Sequence, residues 1–230
     1  DVKVPSGNAE ILAAYTNVVN KAKAAKVGFT KKEYQNVPDN STDRKIEKGS
    51  FIVNSLLTLA KSIFKTEDKA ETEIKEKGSD MKWFPVPKNE KGCYLTDVNF
   101  IKSAEAKKLT NGNIELKIVL KDEQDSQPTP DGSGAPLSKV GAMFYPIPVE
   151  DIQTTLKDPT VSKLIKDASA TVLYKDSTAV IEYNPANDQL IKLEHNLIGG
   201  LTLRGKAVVG GEFGVVQNVY STMKIWDVKY

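Results

Sequence analysis

The sequence predicts an α+β fold in which N-terminal helices pack on a curved antiparallel β-sheet formed mainly by the C-terminal half. Three observations carry this. Apolar residues recur at helical spacing early in the chain, the period switches to two near Tyr94, and Thr171 to Tyr230 reads as strands whose short connections force antiparallel neighbours. With 230 residues, 40% hydrophobic and 27% charged, the chain can bury one substantial core, and no internal repeat divides it. We therefore read 1–230 as one domain: a helical part over 8–78, a sheet part over 94–122 and 171–230, and an irregular connection over 123–148.

The first helix spans Ala9 to Ala25. Ile11, Leu12, Tyr15, Val18, Val19 and Ala22 form its apolar stripe, and Asn8 is placed to cap the start. Lys21, Lys23 and Lys26 complement the carbonyl end of the helix dipole, and Gly28 follows as a stop. Phe29 to Val37 reads as extended, and Pro38 to Gly49 as polar turns. Ser50 caps a second helix in which Phe51, Ile52, Val53, Leu56, Leu57, Leu59, Ala60, Ile63 and Phe64 cover most of the circumference, so this helix is expected to be surrounded. Thr66 to Lys77 is helical in pattern but polar, which predicts a surface helix ending at Gly78, and Pro85 and Pro87 forbid its continuation.

Strands follow. Ile114, Leu116, Ile118 and Leu120 alternate with Glu115, Lys117, Val119 and Lys121, and Asn111-Gly112 separates this run from Val98 to Lys108, predicting a hairpin with one wet face. Glu123 to Pro148 hold five of the eleven prolines and predict a linker, or a lid over a groove, around an apolar knot of Met143, Phe144, Tyr145 and Ile147. Short helices are expected at Val149 to Lys157 and Val161 to Asp167, separated by Pro159. The final strands are Thr171 to Tyr174, Thr178 to Tyr183, Leu190 to Arg204 and Val215 to Lys229. Six glycines between Gly199 and Gly214 predict bulges or kinks in a strongly curved sheet.

Composition excludes several chemistries. Among 32 basic residues only Arg44 and Arg204 are arginine, and Lys65 to Lys91 alternates seven lysines with seven acids, so no basic footprint for nucleic acid exists. One histidine and one cysteine rule out a zinc site of the usual kind, and Asp39, Ser41 and Asp43 lack the glycine and terminal glutamate of a calcium loop. Neither a metal nor an organic cofactor is expected. Gly200 to Ala207 has the spacing of a phosphate-binding loop but ends in Ala207 where a hydroxyl is needed, and strand-like residues flank it on both sides. His195 alternates with Ile191, Leu193 and Leu197 on an apolar face, which predicts a packed histidine, and Cys93 reads as a small buried hydrophobe. No catalytic residues are assigned; an enzyme would have to work with carboxylates alone.

The stretches Ala9-Glu10-Ile11-Leu12-Ala13-Ala14-Tyr15 through Asn20-Lys21-Ala22-Lys23, Lys77-Gly78-Ser79-Asp80, Asn113 to Asp122 and Tyr183 to Leu190 resemble a family of exported or cell-surface, lipoprotein-type proteins of clostridial Firmicutes. That resemblance implies an extracytoplasmic place in the bacterial envelope and brings no catalytic residues. It departs at Asp188, where the family leads one to expect a threonine-glycine turn, and its anchoring cysteine would precede Asp1. The chain opens without methionine, which a removed signal peptide and a trimmed N-terminus explain equally. In architecture, long curved strands around an apolar helix are similar to tubular lipid-binding domains.

These readings converge on a monomeric, non-enzymatic envelope protein that binds a lipid or another apolar molecule in a helix-sheet groove lined by Leu56, Leu59, Ile63, Phe144 and Leu197, with the 123–148 segment opening for transfer. Membrane attachment is expected through an anchor preceding residue 1. A surface interaction or adhesion module with a closed core is the alternative, and an acid-type hydrolase the third reading.

Overall fold

The computed structural model describes residues 3–86, 90–132 and 134–230, with the backbone alone over 59–63. Helix α1 (Gly7–Ala24) leads into strands β1 (Gly28–Asn36) and β2 (Arg44–Lys48), helix α2 (Ser50–Ile63) and strand β3 (Thr72–Lys75). The hairpin β4 (Ile101–Lys108) and β5 (Ile114–Leu120) follows, then the two-residue β6 (Glu123–Gln124) and the short helices α3 (Val149–Leu156) and α4 (Pro159–Ser162). Three long strands close the chain: β7 (Ile165–Asn184), β8 (Gln189–Ala207) and β9 (Gly211–Lys229). The fold is thus α+β, with N-terminal helices on an antiparallel sheet built mainly from the C-terminal half.

The sheet order is β3-β1-β9-β8-β7-β5-β4, all antiparallel, with β2 beside β9 and β6 beside β7. At about 3.3 Å per residue the long strands span on the order of 60 Å. Each changes partners along its length. Tyr220 to Lys229 of β9 lie against β1, whereas Gly214 to Gln217 lie against β2. The result is a ribbon, wide at the α1 end and narrow at the other.

One face of this ribbon carries two cores. Leu193, His195, Leu197, Leu203 and Ala207 of β8 all point to it, two residues apart or a multiple of two, as strand geometry requires. Over the wide half lies α1, whose Ile11, Leu12, Tyr15, Val18, Val19 and Ala22 are buried against Ile114, Leu116, Ile118, Leu193 and Ile225. Burying each large apolar side chain there contributes about 1.5–3 kcal/mol. Over the narrow half, Val53 and Leu57 of α2 join Ile165, Leu203, Phe213 and Val215 in a smaller core, with Leu201 packing against both. The opposite face is wet, as the alternation predicts: Glu194, Asn196, Thr222 and Lys224 are half-exposed, and Thr222 Oγ1 donates to Asn196 Oδ1 at 2.9 Å.

Several expectations are corrected. The helix enclosed by the main core is α1. Helix α2 lies on the narrow end with Phe51 80% exposed, because the strands beside it are too few to wrap it. The polar run 38–49 contains β2, and the expected surface helix over 66–77 is instead the edge strand β3; pairing with the open edge of β1 overrides its helical pattern. Pro87, one of two prolines expected to end that helix, lies outside the described residues. Asn8 sits inside the first turn of α1, whose cap is Ser6, and Lys26 at φ 48° makes the left-handed turn assigned to Gly28. Pro159 opens α4 instead of separating two helices, and β7 begins within the stretch expected to be helical.

The expected strands 171–174 and 178–183 are one strand bent at Asp176, φ 47°, where the register shifts between Lys175 and Thr178. Between β8 and β9 the glycines make no bulge, as pairing runs unshifted from Leu193↔Ile225 to Ala207↔Gly211, but the register of β7 shifts opposite Gly205, between Lys166 and Ser169, and that of β2 shifts beside Gly214, between Ile46 and Lys48. Gly205 also serves close packing, since a Cβ there would lie 2.9 Å from the Phe213 ring.

Candidate functional site

Cross-strand register assembles the site. Glu33 of β1 lies opposite Met223 of β9, and Met223 opposite His195 of β8; one step along, Gln35, Ser221 and Leu197 form the parallel row. All six share the core face of the wide half. The segments 81–86 and 138–148 come over this face, with Phe84, Met143 and Phe144 buried in the main core. Between them and the strands remains a cleft of about 210 Å³ lined by Pro85, Phe144, Tyr145, Ile147, Leu197 and Met223 on its apolar side. Glu33, Gln35, His195 and Ser221 supply the polar side. Tyr145, 46% exposed, and Glu33, its side chain 48% exposed, stand where the cleft meets solvent.

Residues 123–129 and 138–148 of the expected connection are built in. Glu123 accepts backbone N–H bonds from Lys139 and Val140 at 2.9 and 2.8 Å, Ser138 Oγ and the Gln127 backbone bond to each other, and Tyr174 Oη accepts from the Ile147 N–H at 2.7 Å. These bonds, with Val140, Ala142, Met143 and Phe144 buried, replace the expected linker or lid by a fixed wall.

The polar groups divide into an ion pair and a neutral dyad. Lys31 Nζ, its side chain 4% exposed, holds Glu33 Oε1 at 2.8 Å, donates to the Trp83 carbonyl at 3.1 Å and lies over the Trp83 ring. The buried Lys31 Nζ thus has a carboxylate and a carbonyl as partners beside the cleft. His195 is 4% exposed, its Nε2 2.7 Å from Tyr15 Oη and its ring centroid 4.7 Å from that of Phe144. Burial first, and the nearby Lys31 charge second, push the imidazole down to about 3, so at neutral pH it is an uncharged, hydrogen-bonding wall. Burial likewise drives the Tyr15 hydroxyl well above its ordinary range. Cys93 is 1% exposed, with burial raising its thiol, and Thr16 Oγ1 bonds it at 3.5 Å. Among the described residues Ser221 shows no hydrogen bond to His195, and no group of three His, Cys, Asp or Glu is placed to hold a metal ion. This arrangement can seat a small molecule with an apolar body and one polar end.

Of the residues expected to line a groove, Phe144 and Leu197 meet in this cleft. Leu56 does not: the apolar side of α2 faces Phe213 and Val215, so Leu56 packs against the smaller core. The side chains of Leu59 and Ile63 lie outside the described residues. Gly200 to Ala207 falls within β8, where no helix N-terminus follows to receive a phosphate. Glu33, Gln35, Ser221 and Met223 were not anticipated. The legible signal was in Lys31 to Gln35, a strand polar on both faces, one of which must then line a polar interior.

A second depression, about 330 Å³, lies on the narrow end between Glu47, Lys48, Asp167, Arg204, Lys206 and Glu212. It is larger, but its charges satisfy one another: Arg204 grips both carboxylate oxygens of Glu47, Lys48 pairs with Glu212, and Lys206 with Asp167. No family model, curated protein or solved structure matches the chain.

Proposed function

We propose that this chain is a non-catalytic binding protein of the bacterial envelope whose cleft beside His195 holds a small amphiphile. The observation that carries the reading is the division of the cleft into an apolar side, Phe144, Leu197 and Met223, and a polar side, Glu33, Gln35 and Ser221. Size narrows the ligand. Drug-sized pockets enclose roughly 300–1,000 Å³. At about 210 Å³ the cleft has room for a short acyl chain or one aromatic ring system, and a whole bilayer lipid exceeds it. The Glu33 carboxylate and the amide of Gln35 favour a polar end that donates hydrogen bonds. The envelope assignment rests on the resemblance of the first helix and the hairpins to exported clostridial proteins.

Calorimetric titration with primary amines and carboxylates from butyl to dodecyl length tests this. Binding is expected to peak at a short chain length and to vanish in Ser221→Phe, which fills the cleft from a half-exposed strand position. Absence of binding by both series to the unaltered protein would contradict it.

A further inference from the structure

The narrow end of the ribbon, opposite the cleft, shows four large apolar side chains to water. Val208 and Val209 occupy the β8–β9 turn at 53% and 81% exposure, Phe51 stands at the start of α2 at 80%, and Leu164 precedes β7 at 61%. They form one tip. The Val208 N–H donates to the Leu164 carbonyl at 2.9 Å, a Cβ on Gly210 would lie 3.4 Å from Ile52 Cγ1, and a Cβ on Gly49 would lie 2.8 Å from the Glu212 carbonyl. The turn is held by its own glycines, Gly210 at φ 111° and Gly211 at φ 81°, so the valines project without burying themselves.

Charge singles out a partner. The tip segments 46–52, 161–167 and 204–214 carry five cations and three carboxylates, whereas the whole chain has a formal charge of +2. Each of those carboxylates is engaged, Glu47 by Arg204, Glu212 by Lys48 and Asp167 by Lys206. Lys163, just before Leu164, and Lys166, opposite Lys206, make no ion pair among the described residues and are exposed. An apolar point flanked by two ammonium groups outside any ion pair is complementary to a soft surface that is oily within and negative outside.

We propose that this tip docks on an anionic lipid bilayer, with Phe51, Leu164, Val208 and Val209 entering the interfacial layer and Lys163 and Lys166 meeting the headgroups. A yielding bilayer can close around these exposed side chains, whereas a protein partner would have to offer a preformed apolar and acidic socket. The side chains are long enough to reach the headgroup-acyl boundary while the ion-paired ring above stays in water. Leu197 in the cleft wall and Ala207 at the tip are separated along one strand by on the order of 30 Å, so docking holds the cleft mouth clear of the bilayer. This contact is independent of the ligand reading and of any anchor at the N-terminus.

Flotation with phosphatidylcholine vesicles, with and without phosphatidylglycerol, tests the proposal. The unaltered protein is expected to float with the anionic vesicles and to be released by salt. Val209→Asp, at an exposed turn position, is expected to weaken flotation about tenfold, and Lys163→Glu and Lys166→Glu by roughly fivefold each. Thermal melting checks that these variants keep the fold. Failure of the unaltered protein to float with anionic vesicles, or equal flotation of Val209→Asp, would overturn it. Capture of a protein by the tip without any flotation would overturn it equally.

Discussion

Tyr15 Oη lies 2.7 Å from His195 Nε2, tying α1 to the middle of β8 across 180 residues of chain. Both side chains are buried, so neither polar group has water as a substitute partner. Tyr15→Phe is therefore expected to destabilise the protein by about 1–3 kcal/mol, the cost of a buried group left unmatched. Adding His195→Leu to Tyr15→Phe should recover part of the loss, because the stranded acceptor is then gone. Urea denaturation of the two single variants and the double variant checks this.

The same histidine makes stability depend on acid. Folded, it stays neutral down to about 3; unfolded, it takes up a proton near its ordinary 6.5. Across that window the unfolded chain binds the extra proton, so stability present above 6.5 is lost as pH falls, by up to about 1.4 kcal/mol per pH unit. His195→Gln keeps a hydrogen-bonding side chain that does not titrate. The stability difference between the unaltered protein and this variant, followed from pH 7 down to pH 4, should shift progressively in the variant's favour.

Gly141 fixes the wall of the cleft. A Cβ there would sit 1.7 Å from the Gln127 carbonyl oxygen and 2.7 Å from Ser138 Oγ, so backbone must move to admit it. Gly141→Ala is expected to cost at least about 2 kcal/mol and to weaken ligand binding, since Phe144 and Tyr145 follow directly. Gly200→Ala, whose Cβ would meet ordinary contact at 3.4 Å, is the comparison. Differential scanning calorimetry of the two variants measures the contrast.

Local pattern carried much of this fold. The stripe from Ile11 to Ala22, the alternation of Ile114 to Leu120 and the Asn111-Gly112 turn each reported their own structure, because helix period, strand period and turn chemistry are properties of neighbouring residues. Long-range pairing was not legible in the same way. Nothing local in Thr72 to Lys75 announces an edge strand; it is one because β1 offers an open edge. The apolar girth of Phe51 to Phe64 pointed to the wrong helix, since enclosure depends on how many strands stand beside a helix and not on its own composition. For the cleft, Phe144 and Leu197 were visible as apolar residues in an irregular segment and a strand. Glu33 and Ser221 gained their place only from the register of β1 against β9.

The most direct measurement is methyl NMR of the methionines while a short-chain amphiphile is titrated in. Of the three methionines, Met223 lines the cleft, Met143 is buried in the core next to Phe144, and Met81 is buried in segment 81–86 without lining the cleft. A saturable shift of the Met223 methyl, smaller at Met143 and smallest at Met81, is the predicted result. Three unmoved methyl signals at ligand saturation, or a shift as large at Met81 as at Met223, would contradict the account.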